Sequence, residues 1–325
     1  KNSIFNKVTR FFGENSTLIG LIFMIIIATM INRTFLTATN LSNVLRQASL
    51  NGIIAVGMAM VIICGSIDLS VGSLYALCAV SSLYLAQKSV ILAIIGTMAL
   101  GLFVGLLNGL IITKMHIHPW ITTLSTMLGI RGVVLVVSNE NTYKPEISNP
   151  AFENISRGAI FTYLNYPIIL FVVVSVIAHL FLTYTPFGRK FYATGGNTEA
   201  AKMMGVNTTS ALMVSHILCG LTASIAGILV GSRVGVASPL VGDGEEMYAI
   251  AACVVGGVYL TGGRGKIPLV FAGSFIIAML SNVFNLQNNL SPFWEAVITG
   301  ALVLVVVLIQ QINVMRAERI KKISS

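Results

Sequence analysis

Ten apolar runs, near residues 17–32, 49–65, 70–87, 90–113, 120–138, 167–184, 210–233, 247–260, 268–286 and 294–312, follow one another with mostly short polar segments between them. A bilayer core about 30 Å thick takes roughly 20 apolar residues per helix. Only 10% of the residues are charged and 55% are hydrophobic, against about 25% charged in a soluble domain. A chain so composed cannot present an ordinary aqueous surface. The expected fold class is all-α: a polytopic membrane protein of about ten transmembrane helices, one transmembrane domain over 1–325 with no segment left for a soluble one.

A net charge of +9 would suit a nucleic acid if the chain were soluble. Here the basic residues gather in short loops, where they set topology. With the N-terminus inside, Lys1, Lys7, Arg10, Lys114, Arg189, Lys190, Lys202, Arg264, Lys266, Arg316, Arg319, Lys321 and Lys322 fall in the cytoplasm. Arg33, Arg46, Lys88, Lys144 and Arg157 fall outside, and Arg131 and Arg233 lie within or at the end of spans. The reverse topology would invert that bias, so both termini are expected in the cytoplasm. Lys1, Lys7 and Arg10 then flank a first anchor rather than open a cleavable signal. Membrane lipid is an expected partner and nucleic acid is not. Cys64, Cys78, Cys219 and Cys253 show no CxxC or Cys/His spacing and read as small buried hydrophobes. His116 and His118 flank a basic loop and read as interfacial, so no metal site is expected.

Five spans in each half, roughly 1–160 and 161–325, make the halves run in opposite senses, so any repeat between them is inverted. Gly101, Gly105 and Gly109, and again Gly227, Gly231 and Gly235, recur every four residues and read as faces for close helix packing. Two stretches interrupt the apolar pattern: "CGSIDLSVGS" at 64–73 and "GSRVGVASPLVGDGEE" at 231–246. Irregular backbone at membrane depth is tolerated only when buried in protein or lining a cavity, so both are expected to be broken or re-entrant.

Asp68 has two compatible readings. Its carboxylate can accept from the N–H of Ser70 or Val71 at the start of the next helix, or it can border a solute route, as intramembrane carboxylates often do. Ser66, Ser70, Asn108, Ser125 and Thr126 are the other candidates for that route or its gate. Arg131 is expected to pair on the outer side with Asp243, Glu245 or Glu246, in preference to snorkelling.

The loop 185–209 contains "TPFGRKFYATGGNTEAAKMMGVN". Gly195-Gly196 is expected to break the chain and Asn197 to cap a helix. Glu199 falls in the first turn, where the helix dipole favours an anion. Thr198, Glu199, Ala200, Ala201, Lys202, Met203 and Met204 make two turns, and Gly205 ends them. A helix this short is unstable alone in water and must dock on something. Met203 and Met204 suit a partner's groove, with packing back on the membrane domain as the alternative.

With these residues on the page, the chain resembles the inner-membrane permease subunits of bacterial ABC importers for monosaccharides, the ribose-type family. The resemblance covers nearly the whole length. It rests on Gly65-Ser66-Ile67-Asp68-Leu69-Ser70-Val71-Gly72-Ser73; on Phe187-Gly188-Arg189 followed by Gly195-Gly196-Asn197 and Ala200-Ala201; and on Ala249-Ile250-Ala251-Ala252 leading into Gly256-Gly257 and Gly262-Gly263-Arg264-Gly265. It implies a cytoplasmic ABC ATPase, a second permease subunit, identical or not, and a periplasmic solute-binding protein. It also implies that Asn197 to Gly205 is the helix coupling to the ATPase. ATP and Mg would then sit on the ATPase, and no G-x-x-x-x-G-K-[ST] occurs here to bind them. The usual pattern is departed from in two places: Ser66 replaces a glycine, and Glu245-Glu246-Met247-Tyr248 replaces Tyr-Glu-Leu-Asp. The competing class is an ion-coupled secondary transporter, which needs an intramembrane relay; Asp68, Glu295, His179 and His216 are the candidates. No Ser/His pair with persuasive spacing supports an enzyme.

Overall fold

The computed structural model describes residues 16–161, 163–287, 291 and 293–324. Lys1, Lys7 and Arg10 lie outside them, as do the side chains of Arg316, Arg319, Lys321 and Lys322. Helices account for nearly all regular structure: α1 (Ser16–Ile31), α2 (Ala38–Ile63), α3 (Val71–Ala86), α4 (Val90–Lys114), α5 (Pro119–Val137), α6 (Pro150–Arg157), α7 (Tyr166–Tyr184), α8 (Pro186–Gly196), α9 (Thr198–Met203), α10 (Thr208–Val234), α11 (Glu245–Val255), α12 (Ile267–Asn285) and α13 (Phe293–Ser324). A small antiparallel hairpin, β1 (Ala159–Phe161) with β2 (Leu164–Asn165), precedes α7.

Among the described residues, α2, α4, α5, α7, α10, α12 and α13 are long and apolar enough to cross a bilayer. At about 1.5 Å per residue, the 16 residues of α1 and of α3 reach roughly 24 Å. The 11 residues of α11 reach roughly half a bilayer. The all-α polytopic class is thus what the chain adopts, with a broken segment after α2 and another around α11.

Two spans differ from the sequence expectation. The run at 49–65 is the inner part of α2, which starts at Ala38. Its first turns look too polar for a membrane, but their polar groups are matched by other elements. Asn40 exchanges side-chain hydrogen bonds with Asn282 at 2.9 Å, Ser42 donates to the Tyr163 carbonyl, and Arg46 donates to Asn165. The run at 247–260 overestimates α11, which stops at Val255 and gives way to a glycine-rich loop.

Packing is reciprocal between the halves. The long helix α2 lies against α11 and α12, while α10, in the corresponding place of the second half, lies against α3 and α4, and α2 and α10 cross each other. Burial follows: α2, apolar nearly all round from Ile53 onward, is largely enclosed, whereas α13 faces outward. In hydrocarbon there is little hydrophobic gain in bringing helices together, so close backbone packing has to hold them. At the α4–α10 crossing a Cβ on Gly105 would lie 2.9 Å from Ile217 Cα and closer still to the His216 carbonyl, and one on Gly101 would lie 2.5 Å from the Gly220 carbonyl. Gly227 and Gly231 pack on α3. Gly235 does not share that role: it ends α10 in the left-handed conformation, φ 77°.

The crossing yields a prediction. Gly105→Leu should cost about 1–3 kcal/mol through overpacking and lower the unfolding temperature of the purified protein in detergent. Gly129→Ala, whose new Cβ meets nothing within 4 Å, should leave it unchanged. Equal behaviour of the two variants would count against the close crossing.

Candidate functional site

The first break is built by turn chemistry. After α2, Gly65 takes φ 86°, a conformation closed to most side chains, and the chain runs unwound to Val71. Asp68 Oδ1 accepts from the Ser70 N–H at 2.9 Å and from its hydroxyl at 2.6 Å. The bond to the Ser70 N–H is one the sequence suggested, but Asp68 is not the N-cap: Ser70 occupies that position in α3, and Asp68 braces the turn leading into it. The other oxygen, Oδ2, faces His216 Nδ1 of α10 at 3.0 Å, and His216 Nε2 lies 2.9 Å from Ser66 Oγ. From Ser70 the chain of contacts continues: Asn108 Nδ2 of α4 donates to Ser70 Oγ at 2.9 Å, and Thr126 Oγ1 of α5 donates to Asn108 Oδ1 at 2.7 Å.

The result is one relay, Ser66–His216–Asp68–Ser70–Asn108–Thr126, tying the break to three further helices. Asp68 is 2% exposed and His216, Ser70 and Asn108 are fully enclosed. A carboxylate only accepts, so the imidazole carries its proton on Nδ1 toward Asp68. These residues bond to one another, so in this conformation they hold helices together rather than line an open wall. Ser125 is not among them. It sits on the exposed face of α5 and donates back to the Ile121 carbonyl.

Sequence spacing offers no persuasive Ser/His pair, yet the fold brings Ser66 and His216 together with Asp68 behind them. Carboxylate, imidazole and hydroxyl stand in the order used by acyl-transfer triads, but Ser66 is 4% exposed and its hydroxyl is a bonding partner rather than a presented nucleophile. His216 is 148 residues from Asp68. The only cue to it in sequence is an ionisable side chain inside an otherwise apolar run.

A second feature lies beside this break. Contrary to expectation, Gly195-Gly196 does not break the chain: α8 runs through both and ends at Asn197. Glycine is needed there for approach rather than for a turn. A Cβ on Gly195 would lie 2.6 Å from the Gly263 nitrogen and closer still to the Ile63 carbonyl. The Gly263 N–H donates to that same carbonyl at 2.9 Å, and the Tyr192 hydroxyl donates to the Gly265 carbonyl at 2.9 Å. Burial pushes the Tyr192 phenol above its ordinary range, which keeps it a donor. Helix α8 is thus laid across the end of α2 and the loop after α11, one broken segment from each half.

Beyond α8, Asn197 turns the chain and accepts from the Ala200 N–H at 2.9 Å, opening α9. Glu199 and Lys202 pair at 3.1 Å on its solvent side. Ala201 is buried, Gly205 takes φ 79°, and Met203 and Met204 are 89% and 74% exposed. Of the two readings for the methionines, packing back on the membrane domain is therefore not the arrangement adopted.

On the opposite side, Arg131 differs from expectation. Its guanidinium donates to the carbonyls of Pro239 (2.6 Å) and Val241 (3.0 Å) rather than to a carboxylate. The turns at 238–244 leave carbonyls without helical partners, and these outcompete the acids. Asp243 is exposed, while Glu245 and Glu246 occupy the first turn of α11, where the helix dipole favours them. Glu295 accepts from Ser281, and His179 lies 3.4 Å from Thr183 in its own helix, so neither joins Asp68.

The relay predicts its own energetics. His216→Ala should cost about 3–5 kcal/mol, the usual consequence of leaving one partner of a buried pair uncompensated. The double variant Asp68→Asn/His216→Gln should recover most of the loss. A double-mutant cycle on unfolding in detergent reads the coupling, and strict additivity would show that the pair does not interact.

Comparison with known proteins agrees with this architecture. The family described as "Branched-chain amino acid transport system / permease component" matches residues 40–307. The chain is 39% identical to the ribose import permease protein RbsC of Bacillus subtilis, covering 90% of this chain and 91% of that one. It is 35% identical to RbsC of Escherichia coli K12, covering 91% and 93%. It is 32% identical to the xylose transport system permease protein XylH of the same organism, covering 84% and 85%. No solved structure matches. The chain belongs to this family of ABC-importer permeases, as a multi-pass inner-membrane transport component rather than a catalytic enzyme.

Proposed function

We propose that this chain moves a monosaccharide or similar small polar solute from a periplasmic binding protein to the cytoplasm, powered by a cytoplasmic ABC ATPase seated on α9. A second permease subunit would complete the pathway. The observation that carries this reading is the pairing of two exposed methionines on a capped two-turn helix with a base, α8, that packs at Gly195 against both broken segments and hydrogen-bonds the second through Tyr192. A short helix with an apolar tip is a ready anchor for a groove. The names of the relatives, ribose and xylose permeases, supply the solute class. The distribution of Lys and Arg puts α9 and both termini in the cytoplasm.

The mechanism follows from contact. ATP-driven closure of the ATPase pushes α9, and α8 moves with it because only Asn197 separates them. Gly195 fits so tightly against Ile63 and Gly263 that α8 cannot shift without carrying the ends of both broken segments. The first of these bears Asp68, so the stroke reaches the relay and the helices it ties. Such rigid-body switching between packed arrangements gives alternating access. Ser66, Asp68, Ser70, Asn108 and Thr126 form the inner gate, with Ser125 on a wall facing the second subunit. Arg131, Asp243, Glu245 and Glu246 shape the mouth that receives the binding protein.

The Asp68–His216 pair is the one observation favouring an ion-coupled secondary transporter, so the experiment separates the two. The tagged chain, isolated from native membranes, should bring a P-loop ATPase with it. Met203→Glu with Met204→Glu should reduce that recovery about thirtyfold, as expected for losing two contacts worth about 1 kcal/mol each. Uptake of ribose or xylose should stop on ATP depletion and persist when the proton gradient is collapsed. Uptake that follows the gradient with no ATPase present would overturn the importer reading in favour of ion coupling.

Gly195→Ala tests the transmission. It should retain the ATPase and abolish solute uptake, because the methyl group forces α8 off the two segments. Normal uptake would remove the junction from the mechanism.

A further inference from the structure

A cavity of about 890 Å³ opens between α1, α12 and α13. Its floor is the end of α11 and the glycine-rich loop that follows. Its two ends differ in chemistry. At the level of Thr17, which donates to the Val255 carbonyl, the cavity is bordered by Arg264 and Lys266, both exposed, and by Gln310. Gln310 reaches the Val254 carbonyl at 3.3 Å, and the Arg264 guanidinium stands over the Tyr259 ring at 5.5 Å. Away from that end the walls are apolar, up to Ile27 on α1 and Leu302 on α13.

Its height and the charge at its mouth point to the occupant. Thr17 to Ile27 spans ten residues of α1, about 15 Å along the axis, half of a hydrocarbon core about 30 Å thick. The cavity has the height of one leaflet, an apolar shaft and a cationic mouth.

We infer that this cavity holds one anionic phospholipid from the leaflet on the α9 side, with its acyl chains along α1 and α13 and its phosphate between Arg264 and Lys266. The guanidinium and ammonium recognise the phosphate, and Gln310 faces the glycerol region. Basic pockets between transmembrane helices are a recurrent way of recognising lipid headgroups. The lipid would rest on the loop that carries Gly262 and Gly263, bracing the junction under α8. The inference does not depend on which solute is carried.

The full chain, purified with whatever subunits accompany it, is mixed with equal amounts of phosphatidylglycerol and phosphatidylcholine and examined by native mass spectrometry. Phosphatidylglycerol should be retained preferentially, and the preference should shrink as salt rises, a readout that needs no variant. Arg264→Gln and Lys266→Gln should each weaken retention about fivefold, the contribution of one basic residue near an anionic surface. Gly20→Phe should fill the shaft and displace both lipids. Equal retention of the two lipids by the wild-type chain, or unchanged retention by the folded double charge variant, would overturn the inference. So would a disulfide between Gly20→Cys of one copy and Ile309→Cys of another, which would make the cleft a contact between subunits.

Discussion

A carboxylate inside a membrane has no water to fall back on, and the arrangement around Asp68 follows from that. Each of its oxygens has a protein partner: one is bonded within the break itself and the other to a histidine from the opposite half of the chain. Satisfying Asp68 therefore requires α10 to cross beside the end of α2. That crossing requires glycine where α4 and α10 meet, because Gly105 faces the carbonyl of the same His216. The polar requirement and the steric requirement fall on one residue of α10, its side chain serving the first and its backbone the second. The identity of the helices in the core is thus set by a single desolvated group and by where its partner is found.

The same economy is visible at the surface. The chain near α8 uses glycine for approach, asparagine for direction and methionine for contact, in that order along the sequence. Asn197 takes an extended conformation between two helices, so α9 points away from the bundle while α8 stays pressed to it. Force applied to Met203 and Met204 meets a short stiff path, with no flexible linker before it reaches backbone hydrogen bonds of the core.

Much of this was legible in the chain. The all-α polytopic class followed from apolar run length, and seven of the described helices are long and apolar enough to cross a bilayer. The caps of α9 followed from Asn197 and Gly205, since local backbone chemistry is written in neighbouring residues. What could not be read was mostly non-local. Nothing in the spacing of Asp68 and His216 says that they meet, because hydropathy fixes which helices span and not which ones cross. The outer turns of α2 were hidden because Asn40, Ser42 and Arg46 look like loop residues until their partners on other elements are known. Gly195-Gly196 read as a break because glycine has two uses, and only the neighbour across the gap tells them apart. The guanidinium of Arg131 was assigned to acids by charge alone, whereas unpaired turn carbonyls lay nearer.

One geometric fact has a kinetic meaning. The segment after α2 and the segment after α11 belong to opposite halves, yet both meet the backbone of α8 at Gly195. A camshaft that drives two valves from one lobe keeps them in fixed phase at any speed. Here the two halves of the bundle share one seat, so a displacement of α8 of the kind proposed above would act on both at once. In an importer working as proposed, that shared seat would keep a solute-sized opening from standing ajar in a membrane that also holds an ion gradient.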